Sequence, residues 1–79
     1  MKYVFHQRFS ELVNESNLTF EQIAHELGLK SKGTISKYAS GQIQNIGPVM
    51  IDKIANLFDV SPIWLLGYTD NRHYKIKKN

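Results

Sequence analysis

Phe5, Phe9, Leu12 and Val13 recur at i, i+4, i+7 and i+8, which lays one apolar face along a helix from about residue 2 to residue 15. Ser16-Asn17 breaks that pattern. Thr19 followed three residues later by Gln22 is a capping box, in which two side chains satisfy each other's backbone donors. Phe20, Ile23, Ala24 and Leu27 then form a second apolar face. Gly28 closes this helix, because glycine takes the left-handed cap conformation without strain. Ser31 caps a third helix from about residue 32 to residue 40, with Ile35, Tyr38 and Ala39 inward and Gly41 as its stop. A loop over residues 42–48 leads to a fourth helix, about 49–58, whose buried side is Ile51, Ile54, Ala55 and Phe58. Ser61 and Pro62 suit the cap and first position of a short fifth helix, ended by Gly67.

The pattern predicts an all-α fold, a compact orthogonal bundle of five helices; no stripe is long enough for a coiled coil. The folded domain is expected over residues 1–68. Residues 69–79 show no stable helical face and read as a basic flexible tail or the start of a linker. Within them Tyr74 and Ile76 alternate with charges, the pattern of a short edge strand.

Charge adds an asymmetry that the formal net of +3 conceals. Residues 11–26 carry Glu11, Glu15, Glu21 and Glu26 with no lysine or arginine, whereas residues 30–37 carry Lys30, Lys32 and Lys37 with no acid. Arg72, Lys75, Lys77 and Lys78 form a second basic segment. A solvated surface explains such segments in isolation; a polyanionic partner explains them equally well. The third helix is the unusual one: KSKGTISKYASGQ holds three lysines, three serines and a threonine around few core residues.

Other classes of function find little support. The chain has 79 residues and no cysteine, so neither a disulfide nor a thiolate metal site can staple it. His6, His25 and His73 lack metal-site spacing. Ser36-Lys37 and Ser31-Lys32 are not nucleophile-base pairs, since adjacent helical residues point about 100° apart. No enzyme activity, cofactor, metal or small-molecule substrate is expected. No run of about 18 apolar residues spans a membrane, and the start, MKYVFHQRFSEL, is no signal peptide. A cytoplasmic protein is the expectation.

Two helices separated by a few residues, the second polar and basic on its outer face, make a helix-turn-helix pattern. An α-helix fits the DNA major groove and offers side chains to base edges. The preceding helix aims unpaired N–H groups at a phosphate, so Thr19 and the first-turn amides are candidate phosphate ligands. The stretches FHQRFSEL, LTFEQIAHELG, GTISKYASG and LFDVSPIWLLG, in this order and with the spacing of Ala24, Ile35, Gly41 and Trp64, resemble the lambda-repressor-like (Cro/XRE-type) helix-turn-helix domain. The resemblance runs from Phe5 to Gly67.

It implies a regulator that binds double-stranded operator DNA, usually as a two-fold dimer. By matching position, Lys32, Gly33, Ser36 and Lys37 would read bases, while Lys30, Ser31, Thr34, Ser40 and Gln42 join Thr19 near the sugar-phosphate backbone. Phe20 stands where many members grip a phosphate with glutamine, which leaves that contact to Thr19 and the backbone. Val13 and Ala39 stand where many members have an arginine-glutamate pair. The fifth helix is apolar nearly all round, so Ile63, Trp64 and Leu65 are expected to meet a second copy. The function that follows is a repressor of phage or mobile-element type on a pseudo-palindromic operator. The alternative is a protein-interaction module of the same fold, an antitoxin or antirepressor acting mainly through helix five.

Overall fold

A computed structural model describes residues 4–75. It contains α1 (Phe5–Ser16), α2 (Phe20–Glu26), α3 (Lys32–Ser40), α4 (Pro48–Phe58) and α5 (Pro62–Leu65). The boundaries follow from local chemistry. Asn17 ends α1 in the left-handed conformation, at φ 61°. Thr19 and Gln22 make the full capping box at α2: the Thr19 Oγ1 accepts the Gln22 N–H at 3.1 Å and the Gln22 Oε1 accepts the Thr19 N–H at 2.9 Å. The Ser31 Oγ accepts the Gly33 N–H at 3.0 Å to start α3, and Gly41 stops it at φ 85°. Pro48 occupies the first turn of α4, and Asp59 ends that helix at φ 55°. The Ser61 Oγ accepts the Ile63 N–H at 3.1 Å and begins α5.

The core forms where these helices turn their apolar sides together. Phe5, Phe9, Ile23, Leu27, Ile35, Ile54 and Leu65 are fully buried, each worth about 1.5–3 kcal/mol by removal from water. Phe5 and Phe9 stack at 5.4 Å along α1 and both meet the Tyr38 ring edge-on, at 6.2 and 6.1 Å. Phe9 also meets Phe58 edge-on at 6.2 Å. Aromatic pairs of this geometry add about 0.5–1.5 kcal/mol beyond area alone. Thus α3 packs on α1 and α2, while α4 and α5 pack together and α5 touches α1. Among the described residues, no helix is long and apolar enough to cross a membrane.

Two expectations change. Phe20 belongs to the helical stripe of α2 by spacing, yet it stands on the first turn, past the end of the core, and the residue is 37 % exposed. The tail expected from residue 69 is tied down as far as residue 72. The Ser61 N–H donates to the Arg72 carbonyl at 2.7 Å. The Arg72 guanidinium donates twice to the Glu15 carboxylate, at 2.7 and 3.0 Å, and lies 4.9 Å from the Trp64 ring centre. Arg8 approaches the same ring to 4.8 Å and donates to the carbonyls of Trp64 and Thr69 and to the Asp70 carboxylate. No strand occurs among the described residues. Ile76, on which the edge-strand pattern rested, lies outside them, as do Lys77 and Lys78.

Candidate nucleic-acid interface

The turn between α2 and α3 is set by Gly28, at φ 74°, and by the Leu29 N–H, which donates to the Ala24 carbonyl at 2.8 Å. It brings the two helices together with Ile23, Ala24 and Leu27 facing Ile35 and Tyr38 within one core. The opposite side of α3 is left to solvent. Lys32, Gly33, Ser36, Lys37 and Ser40 are all exposed, and Thr34 is half-buried at the edge.

The start of α2 shares this side. Thr19, Phe20 and Glu21 surround a shallow notch of about 530 Å³ with Lys32, Gly33 and Ser36. A second notch next to it is lined by Glu21, His25 and Leu29 with Lys30, Ser31 and Lys32. The structure therefore brings together Thr19 and three of the four expected base-reading positions, with Lys30 and Ser31 alongside. Lys37 is exposed one residue beyond Ser36 on the same helix. Ser40 and Gln42 lie at the far end of α3, where the Ser40 Oγ donates to the Lys37 carbonyl at 3.3 Å and accepts the Gln42 N–H at 3.4 Å.

The capping box spends the Gln22 backbone N–H but leaves the N–H groups of Phe20 and Glu21 without an acceptor among the described residues. Free first-turn amides and the helix dipole together favour an anion. The Thr19 and Ser31 hydroxyls each accept one backbone N–H, so each retains its O–H for donation to a ligand.

The cations divide by role. Both arginines are engaged within the protein, Arg8 with Asp70, and Arg72 with Glu11 and Glu15. Arg72 holds Glu15 below the ordinary carboxylate range, chiefly by its hydrogen bonds; desolvation opposes this, and the Arg72 charge adds a lesser lowering. The same bonds raise the Arg72 guanidinium above its usual value. Lys30, Lys32 and Lys37 make no ion pair among the described residues. Among the described residues, Glu21 is the one acid lining either notch, and it is exposed.

The residues expected to meet a second copy need correction. Leu65 is fully buried and Trp64 is 5 % exposed, because the core encloses the first while Arg8 and Arg72 lie against the ring of the second. Of the three, only Ile63 retains partial exposure. Sequence reading also missed Arg8 and the Glu15–Arg72 pair. A lone arginine within FHQRF was the available hint, but no local pattern names partners more than fifty residues away. Equally unforeseen was the seat of α3 on α1: the Ser10 hydroxyl donates to the Ala39 carbonyl at 2.9 Å, and Gly41 lies against the His6 ring.

A family model described as Helix-turn-helix matches residues 10–65, well over half of the chain. No curated protein and no solved structure matches it. With a capped α2, a short turn and an outward-facing basic α3 in place, the chain belongs to the lambda-repressor-like, Cro/XRE-type helix-turn-helix family of DNA-binding transcription regulators.

Proposed function

We propose that the protein is a sequence-specific repressor of phage or mobile-element type that binds a pseudo-palindromic operator as a homodimer, with α3 in the major groove. The observation that carries this reading is the pairing of two features on one side of the molecule. Lys32, which makes no ion pair among the described residues, lines one notch with Phe20 and Glu21, whose N–H groups find no acceptor among those residues, and Lys37 is exposed further along α3. Lys32 and Lys37 donate to guanine O6 and N7. Ser36 takes a polar base edge, and Gly33 allows the helix backbone to approach closely. Thr19, Lys30, Ser31, Thr34, Ser40 and Gln42 hold phosphates and so set the register. A dimer of this kind spaces its half-sites about 34 Å apart, one turn of the duplex. Repression follows from occlusion of polymerase.

The rival reading, a protein-interaction module working through α5, loses support from the burial of Trp64 and Leu65. Selection of bound sites from a random duplex pool, followed by binding measurements at two salt concentrations, separates the two. Salt-steep, sequence-selective binding to paired half-sites is expected. Absence of binding at low salt, together with a stable complex with another protein on pull-down, overturns the repressor reading.

A further inference from the structure

We propose that Phe20 is a specificity residue whose ring meets the 5-methyl group of a thymine, so that the protein distinguishes methylated from unmethylated pyrimidine at one position in each half-site. The inference rests on the DNA-binding reading above and deepens it. Phe20 is one of only four large apolar side chains exposed among the described residues. It is the only one of the four that lines the notch between α2 and α3. Its neighbours there are Thr19, Glu21, Lys32, Gly33 and Ser36. Phe20 is thus the one hydrophobic residue in a recess whose other lining residues are polar, charged or glycine. Gly33 contributes no side chain to fill it, which keeps the ring accessible from the side of α3.

The chemistry of the groove limits what such a residue can select. Along the floor of the major groove every base pair presents donors and acceptors, and the one apolar group is the thymine 5-methyl. The Lys32 side chain shares the notch with Phe20 and draws the duplex in, and Phe20 and Glu21 form the first turn of α2, where their N–H groups have no acceptor among the described residues. A phosphate seated on those amides places the adjoining base edges next to the ring. A polar side chain at residue 20 would instead serve the phosphate and read nothing. A phenylalanine cannot hydrogen-bond a phosphate, and its exposure is unprofitable in the free protein. Burial against a methyl group turns that exposure into discrimination.

The test uses the full chain and a duplex selected by it from a random pool. Each thymine is replaced in turn by uracil, which removes only the methyl group, and affinity is read by fluorescence anisotropy. At one position per half-site the wild-type protein should lose about fourfold, the fold-change equivalent of burying one methyl group. Cytosine and 5-methylcytosine placed opposite guanine at that position should differ in the same direction. Phe20→Gln should bind the thymine and uracil duplexes equally, with an unchanged salt slope, and Phe20→Leu should keep part of the discrimination. Circular dichroism melting of each variant checks that the fold persists, as the exposure of the ring leads one to expect. A flat uracil scan, a selected site without thymine, or discrimination that survives in Phe20→Gln overturns this proposal alone. Failure to select any duplex overturns the DNA-binding reading with it.

Discussion

Replacement of Arg72 by alanine tests whether the fold extends past its fifth helix. The substitution removes a guanidinium centred 4.9 Å from the Trp64 ring and two hydrogen bonds to Glu15, but leaves the backbone bond from the Ser61 N–H to the Arg72 carbonyl. The cation-π contact is worth about 0.5–1 kcal/mol for a guanidinium whose side chain is still 33 % exposed. Uncovering part of an indole that is now 5 % exposed costs about as much again, at about 25 cal/mol per Å² over a few tens of Å². The ion pair with Glu15 is exposed and adds little at neutral pH. The expected loss is about 1–2 kcal/mol, which in a domain of this size lowers Tm by about 5–15 °C. Thermal melting followed by circular dichroism measures it, and the emission of Trp64, the only tryptophan, reports on the site itself. The pH dependence has a definite sign. Glu15 is held below its ordinary range in the folded protein, so its contribution is present above the unfolded value, about 4.3, and is lost as pH falls through the folded one. The gap between wild type and variant should therefore narrow on acidification from pH 6, and Glu15→Gln should remove that narrowing. A variant that melts within a degree or two of wild type with unchanged Trp64 emission would refute the reasoning.

Other substitutions probe the interface and its support. Lys37→Ala should cost about 1–3 kcal/mol of binding and relax preference at one base pair, as read by the anisotropy of single-base operator variants; equal weakening on every sequence would move Lys37 to the phosphate backbone. Glu21→Gln removes the acid that lines both notches and should raise affinity about threefold to tenfold at low salt, with the gain shrinking as salt screens it; a loss of affinity would place Glu21 in a direct contact. Gly41→Ala puts a Cβ on a residue at φ 85° and within 3.3 Å of the His6 ring, so it should destabilise by about 1–2 kcal/mol in a denaturant melt. His6→Ala should relieve part of that loss, and a Gly41→Ala protein as stable as wild type would contradict the strain.

The helix ends were legible because each is decided within a few residues. Thr19 with Gln22, Ser31 before Gly33, and Ser61 before Pro62 cap their helices through neighbours that the sequence itself puts in reach. The inward residues of α1, α3 and α4 followed from helical spacing for the same reason. Phe20 shows where that rule stops. It obeys the spacing of its stripe, but on the first turn the core has already ended. Trp64 and Leu65 show the converse. A one-turn helix that is apolar on every side invites a partner, yet Arg8 and the returning segment at Arg72 lie against Trp64 from within the chain. Those arginines lie 64 residues apart in the sequence and meet at one ring, which no window of local pattern encloses. The base-reading and phosphate-holding roles rest on matching positions, and operator selection is what assigns them.

The seat of α3 has a consequence for how such a protein changes its preferences. Tyr38 presses its ring against Phe5 and Phe9, the Ala39 carbonyl is held by Ser10, and Gly41 abuts His6. All four partners belong to α1, which lies beneath α3 as a pedestal. A slightly larger or smaller residue hidden in that pedestal tilts the helix above it and moves every exposed side chain by a common angle. Altered operator choice can then arise from substitutions that never approach the duplex, and a search for such variants should extend to the buried face of α1.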